Sequence, residues 1–279
     1  MARRRHSRAA RLVTGAAVVF LCIVAVFPIY WMFITAVSPE REMYSANPPL
    51  LPWHLQTKAF SDLLAGGQAG QWLLNSVIVS VCAVVATLIA SILSGYGISR
   101  FRFRGSTLFG VLLLATQMLP QALIIVPVYI IFRWLHLLNS LFGLVVINLA
   151  INVPVATWIL KGYFDTVPRE IEEAALIDGC TRLQALRRVV LPTALPAVIA
   201  VAVIVLIEAW NEYLFATTLI TSQRRWVTSV GLASFIGMFT VPIEQVMAGA
   251  LLFTVPVLIL YFALQRYIVS GLTGGAVKG

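Results

Sequence analysis

Residues 170–192 read EIEEAALIDGCTRLQALRRVVLP, a charged island in a chain that is otherwise apolar. Five of the eleven acidic residues fall between Asp165 and Asp178, although the chain runs to 279 residues. The first half of the island has the marks of a short helix. Pro168 suits a first turn, and Glu170, Glu172 and Glu173 follow where the positive end of the helix dipole favours them. Gly179 can supply a left-handed cap, and Thr181 with Gln184 has the capping-box spacing that starts a second helix. Ile171, Ala174 and Ala175 are expected on one face of the first helix, and Leu183, Leu186 and Val190 on one face of the second. Two short helices hinged at Gly179 form a knuckle. It can dock into a groove on a soluble partner or lie on a membrane surface.

The composition around the island is that of an integral membrane protein. The chain is 60% hydrophobic and 11% charged, with a mean hydropathy of +0.92. That leaves too little polar material to cover a soluble globule, so lipid must act as solvent. Six stretches lack ionisable side chains and are long enough to cross a bilayer: 12–37, 72–99, 106–132, 141–160, 189–207 and 246–265. The first is 26 residues, well beyond the 7–15 of a signal-peptide core, and reads as an uncleaved span. Six crossings put the N-terminus, the second and fourth loops and the C-terminus on one side. Fifteen of the twenty basic residues lie there, so that side is cytoplasmic. The net charge of +9 is therefore a topological bias rather than a nucleic-acid footprint. His6, His54 and His136 stand apart from one another, and Cys22, Cys82 and Cys180 form no metal-binding or disulfide pattern.

With the island placed on a cytoplasmic loop, the stretch EAALIDGCTRLQALRRVVLP resembles the EAA loop of permease subunits in ABC importers. Glu173, Ala174, Ala175, Gly179, Val189, Leu191 and Pro192 match that pattern at its spacing. Leu186 stands where an aromatic residue is often found, and Cys180 where alanine is typical. NSVIVS (75–80), GYGISRFRFRG (95–105), MLPQALIIVPVYIIF (118–132), EAWNEYLFA (208–216) and QRYIVSGLTGGAVKG (265–279) extend the likeness to the carbohydrate branch of the family. The resemblance implies an all-α, type I ABC importer permease fold in a bacterial cytoplasmic membrane. A basic N-terminus (1–11), a six-helix permease domain (12–269) with its coupling loop (165–192), and a cytoplasmic tail (270–279) would make up the chain. It further implies that Glu173, Ala174, Ala175, Asp178, Gly179, Leu186 and Pro192 couple to an ATPase. In the tail, Gly271, Thr273, Gly274, Gly275 and Lys278 would reach the ATPase interface.

The implied partners are a second permease, a dimer of ATPase subunits, an extracytoplasmic sugar-binding protein and the lipid bilayer. The outer loop around 221–244 would meet the binding protein. ATP and magnesium belong to the partners. A P-loop needs Gly-Lys-Ser/Thr, and Lys58, Lys161 and Lys278 are followed by Ala59, Gly162 and Gly279.

Glu208, Asn211 and Glu212 are spaced i, i+3, i+4 and are expected on one helical face, at the translocation path or at the permease interface. Asn75, Asn148, Asn152 and Gln117 are expected as hydrogen-bond partners between helices. The competing reading is a self-sufficient secondary transporter or channel. Such a protein would show repeats between its halves and midplane charges, and it has no use for the knuckle. An enzyme would need a convergent set of acids and bases, and the only close pair inside an apolar run is Glu208 with Glu212.

Overall fold

The computed structural model describes residues 8–101, 104–237 and 241–274. Among these residues every regular element is a helix. In chain order they are α1 (Arg8–Val37), α2 (Glu40–Met43), α3 (Lys58–Ala65), α4 (Gln68–Arg100), α5 (Ser106–Thr116), α6 (Gln121–Trp134), α7 (Leu141–Phe164) and α8 (Arg169–Ile177). The chain continues as α9 (Arg182–Ala185), a π turn (Leu186–Val190), α10 (Leu191–Thr193), α11 (Leu195–Asn211), α12 (Leu214–Leu219), a 3₁₀ turn (Gln223–Arg225), α13 (Thr228–Ala233) and α14 (Ile243–Gly274).

Four helices, α1, α4, α7 and α14, are each long and apolar enough to cross a bilayer. The other two expected crossings are bent. The run 106–132 is not one helix: α5 and α6 meet at 97° across residues 117–120. Pro120 disfavours helical geometry at Leu119 and itself sits at φ −59°, ψ 125°, so the helix must restart after it. The run 189–207 also starts later than its composition suggests. The segment Arg182–Thr193 bends by 81° into Leu195–Asn211. Pro192 and Pro196 lack the N–H groups that would carry a regular helix through the joint at Ala194.

The chain forms two compact units. The first comprises residues 1–67 and 234–255. Here α1, α3 and the start of α14 meet through Ala36, Ala59 and Ala248, flanked by Phe60, Met247 and Leu251. Alanines at the contact let the helix backbones approach closely. The segment between α2 and α3 is irregular, as its prolines dictate, and Tyr30 ties into it by donating to the Leu50 carbonyl at 2.5 Å.

The second unit comprises residues 68–233 and 256–279. One core cluster joins α4, α6, α7, α12 and α13 around Val79, Phe132, Leu144, Ile147 and Phe215. The other joins α4, α7, α11 and the π turn around Tyr96, Leu160, Phe164, Leu186 and Val201. Half of the most apolar window of α7 is buried against protein, more than in any of the other three straight candidate spans. Along α4, Ala83, Thr87, Ser91, Gly95 and Ser99 recur every four residues and are all buried. Such a stripe permits close helix packing where lipid supplies no hydrophobic drive. At Gly95 the approach is tightest: a Cβ would stand 3.1 Å from the Thr157 carbonyl oxygen and 3.2 Å from the Lys161 nitrogen. Ser94 and Thr157 share a hydroxyl hydrogen bond of 2.7 Å across the same crossing.

Gly95→Val forces α4 and α7 apart, because both nearest atoms are backbone and cannot rotate away. The expected loss is about 1–3 kcal/mol, typical of overpacking. It is read as a lower thermal unfolding midpoint of the detergent-solubilised protein, and an unchanged midpoint would contradict the close crossing.

Candidate functional site

The charged island folds as a helical knuckle against the end of α4. Pro168 precedes α8 at φ −56°, and Glu170 and Glu172 occupy its first turn. At its far end Gly179 adopts φ +85°. Its N–H donates to the Leu176 carbonyl at 3.1 Å, and the Cys180 N–H donates to Ala175 at 3.0 Å. This crossed pair is a Schellman cap, which requires the left-handed residue that glycine supplies without strain. The capping box at Thr181 is complete. The Gln184 N–H donates to the Thr181 hydroxyl at 3.3 Å, and the Thr181 N–H donates to the Gln184 side chain at 2.8 Å.

Of Ile171, Ala174 and Ala175, expected together on one face, only Ala175 turns inward. Glu172 is buried together with Ala175, while Ile171 and Ala174 are exposed. Glu172 turns inward because it has partners there. Arg100, the last residue of α4, donates from Nε to Glu172 Oε2 at 2.8 Å, with the two side chains only 5% and 6% exposed. The Tyr96 hydroxyl donates to Glu172 Oε1. Arg100 also donates from Nη2 to the Val167 carbonyl at 3.0 Å. Arg169 donates back to the Ser99 carbonyl at 3.3 Å.

Beside this pair, Ser99 donates to Asp165 Oδ1 at 2.7 Å and Lys161 bonds Asp165 Oδ2 at 2.6 Å. Burial alone would push the Asp165 carboxyl up, but hydrogen bonds from Lys161 and Ser99 outweigh it and hold the carboxyl below the usual carboxylate range. The Arg182 guanidinium lies over the Phe101 ring at 5.2 Å, pinning the second helix to the same end of α4.

The second helix also presents a different face. Leu186 and Val190 are buried, whereas Leu183 is 66% exposed. Leu183 lies in α9, ahead of the π turn at Leu186–Val190, and faces out, whereas Leu186 and Val190 stay on one buried face across that turn. Leu186, 3% exposed, supports the knuckle from within the core and offers no side-chain surface to a partner. Ile171, Ala174, Ile177 and Leu183 are the exposed apolar residues of the two helices, and Glu173, Asp178 and Gly179 are exposed as well. Pro192 is exposed at the base. Gly271, Thr273 and Gly274 continue helix α14, while Gly275 and Lys278 lie outside the described residues.

The second group of expected residues meets in a cavity of about 230 Å³. Glu208, Asn211 and Glu212 line it with Gln121, Asn148, Asn152 and Tyr213. They do not share one helical face. Helix α11 ends at Asn211, and Glu212 is extended at ψ 120°. Its carboxylate accepts from the Phe215 N–H at 2.6 Å and the Ala216 N–H at 2.9 Å, so it serves the start of α12.

Asn75 and Gln117 bond between elements as expected. Asn75 donates to the carbonyls of Arg224 and Trp226, and Gln117 donates to that of Ile151. Asn148 and Asn152 instead donate to carbonyls of their own helix, Leu144 and Asn148. The segment 223–228 is fastened to the start of α4. Trp72 donates to the Gln223 carbonyl at 3.0 Å, and Ser76 accepts from the Thr228 N–H at 2.8 Å.

Residues 83–274, which contain both the knuckle and the cavity-lining helices α7 and α11, match the model of a family described as binding-protein-dependent transport system inner membrane component. The chain belongs to that family. It is 36% identical to the diacetylchitobiose uptake system permease protein DasC of Streptomyces coelicolor, over 99% of this chain and 100% of that one. Against the trehalose/maltose transport system permease protein MalG of Thermococcus litoralis the identity is 31%, over 96% of each. A chain from the crystal structure of a bacterial ABC transporter involved in alginate import superposes with a TM-score of 0.82 at 25% identity, covering 95% of this chain and 99% of that one. This permease is thus a multi-pass protein of the cytoplasmic membrane.

The residues that hold the knuckle were not evident from sequence. Glu172 looked like one more acid on an acidic rim, and the hint was its three-residue step to Ala175 on α8. Glu172→Ala or Arg100→Ala leaves one charge buried without its partner, a loss of about 3–5 kcal/mol. The double variant Arg100→Ala/Glu172→Ala is expected to be less destabilised than the sum of the two. Thermal midpoints and protease cleavage within 165–192 measure this, and strictly additive losses would contradict the pairing.

Proposed function

We propose that this permease is one membrane-spanning subunit of an ATP-driven importer for a carbohydrate delivered by an extracytoplasmic binding protein. It pairs with a second, homologous permease above two ATPase subunits, which hold the ATP and magnesium. The four straight helices and the two bent pairs make six crossings, with both termini and the knuckle in the cytoplasm. The distribution of basic residues supports that orientation. The names of the relatives, which specify diacetylchitobiose, trehalose, maltose and galactooligosaccharides, support a sugar as cargo.

The observation that carries the proposal is the build of the knuckle. Its exposed residues Ala174, Ile177 and Leu183 form an apolar docking surface, edged by Glu173 and Asp178. Its buried residue Glu172 is locked to Arg100 at the end of α4. A cleft on an ATPase subunit that grips this surface moves α4 with it. The tail residues Gly271, Thr273, Gly274, Gly275 and Lys278 are assigned in this reading to contact with the same ATPase dimer.

Gly179→Val tests the coupling. The left-handed φ at Gly179 is costly for a β-branched residue, about 1–3 kcal/mol, and relieving the strain re-aims the second helix. No atom lies within 4 Å of a Cβ there, so the variant strains the hinge without a steric clash. ATP-dependent uptake of radiolabelled maltose, trehalose or diacetylchitobiose by vesicles with the full complex and binding protein is expected to fall to background. Membrane insertion and binding to the second permease are expected to persist. Full uptake by Gly179→Val would overturn the coupling role of the knuckle.

A further inference from the structure

The knuckle holds a pocket of its own, against the end of α4. Its volume is about 200 Å³, and Arg100, Arg169, Glu172, Glu173, Leu176 and Arg182 line it. On α8, Arg169, Glu172, Glu173 and Leu176 follow the i, i+3, i+4, i+7 spacing of one helical face. The exposed apolar residues Ile171, Ala174 and Ile177 lie on another. The pocket is therefore separate from the surface proposed to dock the ATPase.

Three guanidinium groups meet in this small space, and they are engaged differently. Arg100 is spent: it binds Glu172 at 2.8 Å and the Val167 carbonyl at 3.0 Å. Arg169 uses Nη2 on the Ser99 carbonyl at 3.3 Å. Arg182 rests over the Phe101 ring at 5.2 Å, a contact that needs no N–H donor. The ion pairs among the described residues are His54–Glu42, Arg100–Glu172 and Lys161–Asp165. Arg169 and Arg182 thus have no carboxylate partner there, although Glu173 lines the same pocket. Two like charges share one pocket, an arrangement that an anion between them relieves.

A phosphate suits this pair. Each guanidinium fork presents paired N–H donors to an oxyanion, and phosphate oxygens point to separate corners, so forks from two helices each find acceptors. The volume corresponds to roughly seven waters at about 30 Å³ each, room for a phosphate group with part of its hydration. Glu173 is exposed and can remain in water. Arg169 opens α8 and Arg182 opens α9, on opposite sides of the left-handed joint at Gly179.

We propose that this pocket is a phosphate site, in which Arg169 and Arg182 grip one anion and so clamp the two helices of the knuckle to each other. The phosphate belongs either to the headgroup of a neighbouring anionic lipid or to a free phosphate ion. The site sets the rigidity of the knuckle, whatever cargo the permease carries.

The test is hydrogen–deuterium exchange on the full-length permease, isolated in nanodiscs with the subunits that remain bound and without nucleotide. Exchange is followed across residues 176–185, the joint between the helices. In one arm the discs are phosphatidylcholine alone, and inorganic phosphate is titrated against sodium chloride at matched ionic strength. In the other, phosphate is absent and the discs hold phosphatidylcholine and phosphatidylglycerol in equal amounts. Slower exchange is expected in at least one arm: the first assigns a free ion, the second a lipid headgroup. Arg182→Gln is expected to abolish the lipid effect, or to raise the half-maximal phosphate concentration about tenfold, as loss of one charge-assisted hydrogen bond does. Arg169→Gln keeps the Phe101 contact and carries the same expectation if Arg182→Gln fails to assemble. Unchanged exchange in both arms, an equal effect of chloride, or a wild-type response in an assembled variant overturns the site.

Discussion

The ion pair between Arg100 and Glu172 joins the end of α4 to the helical knuckle of this permease. One partner ends a helix long and apolar enough to cross a bilayer, and the other lies in the first turn of α8, where Ile171, Ala174 and Ile177 are exposed. Both charges are removed from water, which is costly unless each is fully satisfied. Tyr96 and the Val167 carbonyl add a further hydrogen bond to each partner, and the neighbouring Ser99–Asp165–Lys161 chain links α4 to the end of α7. Separating the knuckle from α4 would strand two buried charges, so the pair acts as a strut rather than a hinge.

The strut needs a rigid helix behind it. The small residues along α4 let α7 approach until backbone meets backbone at Gly95, and the aromatic rings of Tyr96 and Phe164 meet edge to face beside that contact. On the other side the π turn carries Leu186 and Val190 into the same core. The knuckle is therefore held from three directions: by charge at α8, by burial at the π turn, and by the Arg182–Phe101 contact at α9. Its freedom is confined to the exposed surface, where a partner can grip it.

Much of this was legible in the sequence. The positions of Pro168, Gly179, Thr181 and Gln184 foretold both helices of the knuckle and the joint between them, because caps and left-handed turns depend on local chemistry. The long apolar runs at α1, α4, α7 and α14 were equally plain. What stayed hidden depends on partners and packing distant in sequence. Glu172 faces inward because Arg100 and Tyr96 wait there, some seventy residues earlier. Leu183 faces out from α9, while Leu186 and Val190 are drawn into a core built with α4, α7 and α11. The break at Pro120 could be foreseen as a bend, but not as a turn of 97°. Glu212 leaves the line of Glu208 and Asn211 because the unpaired N–H groups of α12 draw its carboxylate.

If α4 and the knuckle move as one body, their separation must stay constant while the ATPases cycle. Spin labels at Leu93 on α4 and Glu170 on α8, both exposed and outside the docking surface, report that distance once Cys22, Cys82 and Cys180 are replaced by serine. Pulsed electron-spin measurements on the reconstituted complex, at rest and trapped with nucleotide and vanadate, should give one narrow distribution with the same centre in both states. A distance that changes between the states, or a second population that appears on trapping, would mean that the knuckle swings free of α4 and that the buried pair does not transmit the motion.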